Sequence, residues 1–366
     1  MIESLKIKNF KNLNGLEIPK LSQINLIAGK NNVGKSSLLE AIAIYSSPYQ
    51  IIEILKNRGE FPPFKEDNEK ERINQNTDAF SSLFTDRNEE VSENNVIEIS
   101  DKGKSLSIQF SYYRKITEQK DRGTITKTEL VNSITDNSLD DIQKAIIITN
   151  QNPINLFLPL DTSFGFLLDK LDSNNNSNTI IKLNTEPLNN RKIAQLFDKI
   201  TFTEKENSVI EALQIIEENI ERLVFIGESP YRDRVPIVKL KGSDKRFPLK
   251  SMGDGINHIL SIILALVNCE NGCLLIDEID NGLHYSVQEN LWKVIFELSK
   301  KLNIQVFATT HSNDCINSFT EVLQESDNAS IGSYYRIQKR KSGRIELVEY
   351  NAEELHSASE HNIERR

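Results

Sequence analysis

The sequence predicts an α/β fold: a mostly parallel core sheet flanked by helices, with an antiparallel β subdomain and a large insertion. Three observations carry this prediction. Residues 24–28 (INLIA) form a continuous apolar run that ends at Gly29, and helix-spaced apolar residues follow from Ser36 to Tyr45. Residues 273–276 (CLLI) form a second such run, ending at Asp277-Glu278, with a helical stretch from about 286 to 301 behind it. A third run covers 305–309 and ends at Thr310-His311. Short apolar runs alternating with helical periodicity are the pattern of parallel strands covered on both faces.

Taken in order, Leu5 and Ile7 alternate with Lys6 and Lys8, the period-two signal of a half-buried strand. A turn at Asn12 to Gly15 leads into a second alternating stretch, Leu16 to Ile18. Residues 57–95 are polar, contain Pro62-Pro63 and read as a loop excursion. Residues 96–113 read as two strands joined at Asp101-Lys102-Gly103, and 96–115 are expected to add strands to the core unit. Residues 116–190 are rich in Asn and Asp, with a cluster at 174–178, and read as an insertion with its own small packing. Residues 191–222 carry helical spacing through Ile193, Leu196, Phe197, Ile210, Leu213, Ile216 and Ile220. Beyond them come a strand at LVFIG, a hairpin over 235–249 turning at Gly242-Ser243, and a Gly-bounded turn, Ser251 to Gly255, that opens an apolar helix. Two more strands, 334–337 and 345–348, precede a terminal helix. The expected organisation is one unit split in sequence, 1–56 with 222–366, and an insertion or arm at 57–221.

Composition narrows the function. The 366 residues carry 44 Lys and Arg against 53 Asp and Glu, a net charge of −9, which excludes a uniformly basic nucleic-acid coat. Three cysteines in a chain this long argue for a reducing compartment. The N-terminus lacks the apolar core of a signal peptide, and the longest apolar run, 259–267, is too short to span a bilayer. The expectation is a cytoplasmic protein with no membrane partner.

The chemistry starts at Gly29-Lys30-Asn31-Asn32-Val33-Gly34-Lys35-Ser36, which fits the P-loop pattern GxxxxGK followed by Ser or Thr. Its backbone N–H groups form an anion nest, and the helix behind it adds a positive end. The expected phosphate-binding residues are Gly29, Asn31, Asn32, Gly34, Lys35, Ser36 and Ser37, with Lys35 reaching the β- and γ-phosphates. The Ser36 hydroxyl is expected to ligate Mg²⁺. The strand ending in Asp277-Glu278 supplies the second half: Asp277 for the metal and Glu278 to polarise the attacking water. The cofactors expected are therefore ATP and Mg²⁺.

With these motifs in hand, the sequence resembles the ABC-type ATPase heads of the RecF, SMC and overcoming-lysogenization-defect class, including stand-alone AAA-type ATP-binding proteins. Four motifs appear in that class's order: the P-loop at 29–36, a signature-like SMGDG at 251–255, the Walker B stretch LLIDE at 274–278, and the switch histidine of ATTHS at 308–312. Asp280 to His284 matches the D-loop region. The resemblance covers roughly 1–55 and 222–366. It implies a P-loop NTPase fold and an ATP-dependent homodimer or higher oligomer. In that assembly Ser251, Gly253 and Gly255 would face the partner copy's γ-phosphate, and His311 would sense the γ-phosphate in its own site. The transporter signature is LSGGQ, whereas SMGDG puts Asp254 close to where a phosphate would lie, and Gln50 and Gln109 are candidates for a glutamine switch that the sequence does not place. No Toprim-like acidic constellation follows, so the resemblance implies a stand-alone head whose effector, such as a nuclease or toxin, is separately encoded, as in bacterial anti-phage systems.

Other features have ordinary readings. Cys269 and Cys273 read as small core residues, Cys315 carries no signal, and His356 and His361 lie in a polar tail. Residues 230–250 hold seven Lys and Arg against Asp233 and Asp244, a local balance of +5, and 336–344 add five more cations. These strips are compatible with nucleic-acid phosphates, as a RecF-like DNA-binding repair ATPase would use, and equally with exposed hairpin charges or contacts to an acidic partner, since no aromatic stacking pattern accompanies them.

Overall fold

A computed structural model of the chain describes residues 1–61, 68–120, 123–131, 142–150, 154–164, 180–227, 234–253, 255–325 and 327–360. Asp254, Arg232, Asp233, His361 and the asparagine cluster at 174–178 lie outside the described residues. The architecture is built around β3 (Ile24–Ala28), whose five residues are all buried. It pairs in parallel with β14 (Gln305–Thr310) on one side and with β15 (Gly332–Lys339) on the other. Next to β14 comes β13 (Cys273–Ile276), again parallel, and then β9 (Ile180–Leu183). The antiparallel β16 (Ile345–Tyr350) closes the far edge, giving the order β16-β15-β3-β14-β13-β9.

Alternation along these strands divides the core in two. Ile24, Leu26, Leu274, Ile276, Val306, Ala308 and Tyr334 face one apolar cluster. It is filled by α4 (Asn190–Asp198), α5 (Glu204–Ile216), α6 (Gly255–Asn268), α7 (Tyr285–Leu302) and α8 (Asn313–Leu323). Ile27, Leu275, Phe307, Tyr335 and Ile337 face the second cluster, which α1 (Lys35–Ser46) and α2 (Gln50–Asn57) fill. Side chains of successive strand residues point to opposite faces, so an all-apolar strand supplies both layers.

The second cluster is closed by an antiparallel sheet. β1 (Leu5–Lys8) pairs with β2 (Leu16–Ile18) and with β4 (Val96–Asp101). The sheet continues through β5 (Lys104–Lys120), β7 (Ile142–Asn150) and β8 (Ile154–Pro159), with β6 (Gly123–Val131) paired on β5. A three-stranded sheet, β10 (Ile220–Ile226), β11 (Val235–Leu240) and β12 (Arg246–Pro248), leads into the 251–255 turn. The terminal helix α9 spans Ala352–Glu360. Among the described residues, no helix is long and apolar enough to cross a membrane.

Three expectations are corrected here. The stretch read as a polar loop contains α3 (Glu69–Ser81), capped by the Asn68 side chain, which accepts from the Lys70 N–H at 3.2 Å. The amide of Asn76 donates to the carbonyls of Leu160 and Thr162 at 2.7 and 2.9 Å, while Ala79 and Phe80 are buried. The helix rests on few apolar residues and on polar anchors, so its hydrophobic periodicity is faint. The described strands of 116–190 also form no separate unit: β6, β7 and β8 extend the β1 sheet, and β9 forms the edge of the central sheet. The helical reading of 191–222 runs too far, since α5 ends at Ile216 and Ile220 starts the strand β10.

Candidate functional site

Parallel strands that end together place their loops on one side of the sheet, and ligands of open α/β sheets collect at those C-terminal ends. Here Gly29 follows the end of β3, Asp277 that of β13 and His311 that of β14, so three of the motifs converge. The turn after β3 must pass close to β15. A Cβ on Gly29 would lie 2.6 Å from the carbonyl oxygen of Ile337 and from its Cγ2, so no larger residue fits without displacement. Gly34 then caps α1 with φ 109°, and Lys35 opens the helix.

Lys11, Asn12, Asn31, Asn32, Gly34, Lys35, Ser36, Ser37 and Glu278 line one open cleft of about 400 Å³. Lys35 is buried, and its Nζ donates to the carbonyls of Gly29 and Lys30 at 2.7 and 3.0 Å, so the side chain folds back along the turn. Burial lowers its pKa, while the nearby carboxylates of Glu278, Asp277 and Asp280 oppose that shift. The cation therefore faces an acidic wall made by the loop after β13.

That wall is organised by Thr309 at the end of β14. Its hydroxyl donates to Asp277 Oδ1 at 2.6 Å and accepts from the Glu278 N–H at 2.9 Å. Glu278 adopts a left-handed backbone, φ 53°, so the chain turns sharply here. The next threonine repeats the device: the Thr310 hydroxyl donates to Asp280 Oδ1 at 2.5 Å. His311 Nδ1 lies 3.5 Å from Glu278 Oε1, so the histidine stands beside that carboxylate, although His311 itself does not line the cleft.

Of the predicted site residues, the cleft gathers Asn31, Asn32, Gly34, Lys35, Ser36, Ser37 and Glu278. Gly29 lies at the start of the same turn, and Asp277, buried, sits behind Glu278. Ser251, Gly253 and Gly255 do not line the cleft, and the Ser251 hydroxyl donates locally to the carbonyl of Pro248 at 2.7 Å. Neither Gln50, at the start of α2, nor Gln109, within β5, lines it either. Within the basic strip, Arg234 pairs with Asp198 and Lys239 with Glu221, while Arg340 pairs with Glu346.

The structure adds residues the sequence reading passed over. Lys11, in the loop after β1, reaches the cleft and is held by Glu40 of α1, which is only 3% exposed. The same carboxylate takes Arg58 at 2.8 and 2.7 Å through its two oxygens, and Lys182 lies 3.9 Å away. Burial pushes the Lys11 ammonium down to about 8, against the raising effect of Glu40 and with further lowering by Arg58. Nothing in the spacing of residues 11, 40, 58 and 182 announces this cluster. Thr309 was visible within ATTHS, but its partners were not.

Among the described residues, no three His, Cys, Asp or Glu side chains converge as a metal nest. The cleft instead offers a hydroxyl and, behind it, a carboxylate. Such a sparse donor set fits a hard cation that keeps waters and takes its remaining ligands from substrate phosphates.

These features define a class, the P-loop ATPases with an ABC-type head: a parallel core sheet, an antiparallel sheet on one side and a nucleotide cleft at the strand ends. Residues 1–316 match the AAA ATPase domain family, and the chain belongs to that family. It is an ATPase and binds ATP. An ATP/GTP phosphatase of Helicobacter pylori is 25% identical over 352 residues, covering 90% of each chain. An uncharacterized protein of Methanocaldococcus jannaschii is 55% identical over 47 residues, 13% of this chain and 22% of the other. Among solved structures, an SMC head bound to the C-terminal winged-helix domain of ScpA aligns with TM-score 0.48 and 14% identity, covering 96% of this chain and 98% of that one. The SMC head domain of Thermotoga maritima aligns with TM-score 0.44 and 13% identity, covering 96% and 99%.

Proposed function

We propose that this chain is a cytoplasmic Mg-ATP hydrolase that closes around its nucleotide with a second copy of itself and so controls a separately encoded effector. The observation that carries the reading is that one cleft is lined both by the turn of residues 31–37 and by Glu278, whose backbone Thr309 grips. Lys35 and the N–H groups of the turn bind the β- and γ-phosphates, and Lys11, from the loop beside that turn, adds a second cation. Ser36 and Asp277 would hold Mg²⁺, which when bound would neutralise charge on the phosphate oxygens.

Glu278 takes a proton from water as the water oxygen attacks the γ-phosphorus. The bond between that phosphorus and the bridging oxygen breaks, and the nucleoside diphosphate leaves with the bridging oxygen. His311, within 3.5 Å of Glu278, senses the γ-phosphate and keeps the carboxylate facing the cleft. Ser251, Gly253 and Gly255 present a hydroxyl, N–H groups and a helix start to the partner copy's nucleotide. That they line no part of their own chain's cleft supports use in trans. The ATP/GTP phosphatase relative supports nucleotide turnover, and GTP is a reasonable second substrate to assay.

Control of an effector in anti-phage defence is proposed by analogy with the ATPase heads of the RecF, SMC and overcoming-lysogenization-defect class. A second reading is a nucleotide-gated scaffold with slow, incidental turnover. Phosphate release measured with and without the co-purified partner separates the two, because fast turnover by the chain alone excludes the scaffold. For the site itself, Glu278→Gln is expected to bind ATP, lose turnover by about a hundredfold or more, and accumulate the closed assembly in size-exclusion light scattering. Normal turnover in that variant removes Glu278 as the base.

A further inference from the structure

Ser251, Gly253 and Gly255 stand outside their own chain's cleft, yet α6, which starts at Gly255, packs directly against the loop that carries Glu278. Gly255 touches that loop so closely that a Cβ there would lie 3.0 Å from both the carbonyl oxygen of Gly282 and Cδ2 of Leu283. One turn further along α6, His258 is 3% exposed, and its Nε2 lies 3.2 Å from the carbonyl oxygen of Ile279. Its Nδ1 is buried and meets no hydrogen-bond partner among the described residues, so Nε2 carries the proton and donates it to Ile279. Gln288, buried at the start of α7, donates to the carbonyl of Leu283 at 3.3 Å and pins the other end of the same loop.

Ile279 follows Glu278 directly. Its N–H donates to the carbonyl of Thr309 at 3.0 Å, just as the Glu278 N–H bonds the Thr309 hydroxyl. The segment 278–280 is therefore held from β14 on one side and from α6 on the other. A left-handed residue such as Glu278 keeps its conformation only while surrounding bonds over-determine it, and the His258 bond is one of them.

We propose that His258 is a positioning residue that couples the 251–255 turn to Glu278. Its Nε2–H holds the Ile279 carbonyl, so a displacement of α6 when that turn engages a second copy's nucleotide reorients the Glu278 carboxylate in its own cleft. The two sites of a closed pair are thereby made to report on each other. This proposal rests on the assignment of Glu278 as the base. It adds the route by which engagement of the turn reaches that base.

The test compares His258→Leu, which fills the volume without a donor, with His258→Gln, whose side-chain amide can donate at similar reach. His258→Asn, too short to reach Ile279, serves as a polar second case should the leucine variant fail to fold. Removal of the donor is expected to lower kcat ten- to a hundredfold while ATP affinity, read by a fluorescent ATP analogue, stays within about twofold. His258→Gln restores kcat to within a few-fold. Unchanged kcat in both donor-less variants overturns the coupling, and so does a His258→Gln protein as slow as His258→Leu. Glu278→Gln is assayed in parallel. Inactive Glu278→Gln beside fully active donor-less variants removes only the present proposal, whereas active Glu278→Gln removes the base on which it rests.

Discussion

Replacing Thr309 by valine tests the organisation of the site with the least change of shape. Thr309 is fully buried, and valine has nearly the same volume, so no large cavity opens. Two hydrogen bonds vanish. The donation to Asp277 Oδ1 at 2.6 Å involves a buried carboxylate, and such bonds contribute about 1.5–3 kcal/mol. The Glu278 N–H loses its acceptor in a partly buried loop, which costs about 1–3 kcal/mol more. Taking values near the lower end of both, Thr309→Val should destabilise the protein by about 3 kcal/mol, roughly a hundredfold in the folding constant. Equilibrium urea unfolding by circular dichroism and tryptophan fluorescence measures this directly, with Trp292 as a buried reporter. Turnover should fall further than stability alone explains, because Asp277 and Glu278 both lose their orienting contact, and Thr309→Ser should keep most of both properties. A valine variant within 1 kcal/mol of the parent, with normal turnover, would refute the idea that Thr309 organises the acidic wall.

Two further predictions follow from particular contacts. Lys11 is held near a pKa of about 8, chiefly by burial, so it is charged below that pH and neutral above it. If it faces the phosphates, kcat/KM for ATP should fall on the order of tenfold as pH rises from 7 through 9, and Lys11→Arg should flatten the profile. The linkage sign is opposite for stability: above about 8 the folded state has shed a proton that the unfolded chain still binds, so this group makes unfolding harder as pH climbs toward 10.5. Gly29→Ala puts a methyl group 2.6 Å from the Ile337 carbonyl, so the turn must shift, at about 1–3 kcal/mol of stability with a larger loss of ATP binding. Calorimetric titration with a non-hydrolysable ATP analogue reads that loss, and unaltered affinity would show that the turn has slack.

Much of the fold was legible in the sequence because its central strands are buried on both faces. Ile24–Ala28, Cys273–Ile276 and Gln305–Thr310 are all-buried strands, and each announces itself as an apolar run ended by a chemically distinctive residue. Helix α3 was not legible, because Asn76 and its Asn68 cap stabilise it through hydrogen bonds that hydrophobic periodicity cannot register. Strand β9 was missed for a different reason. Of its four residues only Leu183 is buried, and their place beside β13 is defined by pairing across about ninety residues of chain, as in Cys273↔Ile180.

The candidate site divides in the same way. The sequence by itself determined that a phosphate-cradling turn, a carboxylate pair and a histidine exist in an order that chemistry can use. A glycine-rich turn between strand and helix is a local object, and its residues lie within one short segment. Only the tertiary structure decided what surrounds them: Lys11 brought to the cleft by Glu40, Thr309 laid between Asp277 and Glu278, and His258 set against the carbonyl of Ile279. Those contacts join residues 21 to 32 positions apart on separate elements. No repeat or spacing encodes them, because they depend on where two packed elements meet and on which polar group is left there to be satisfied.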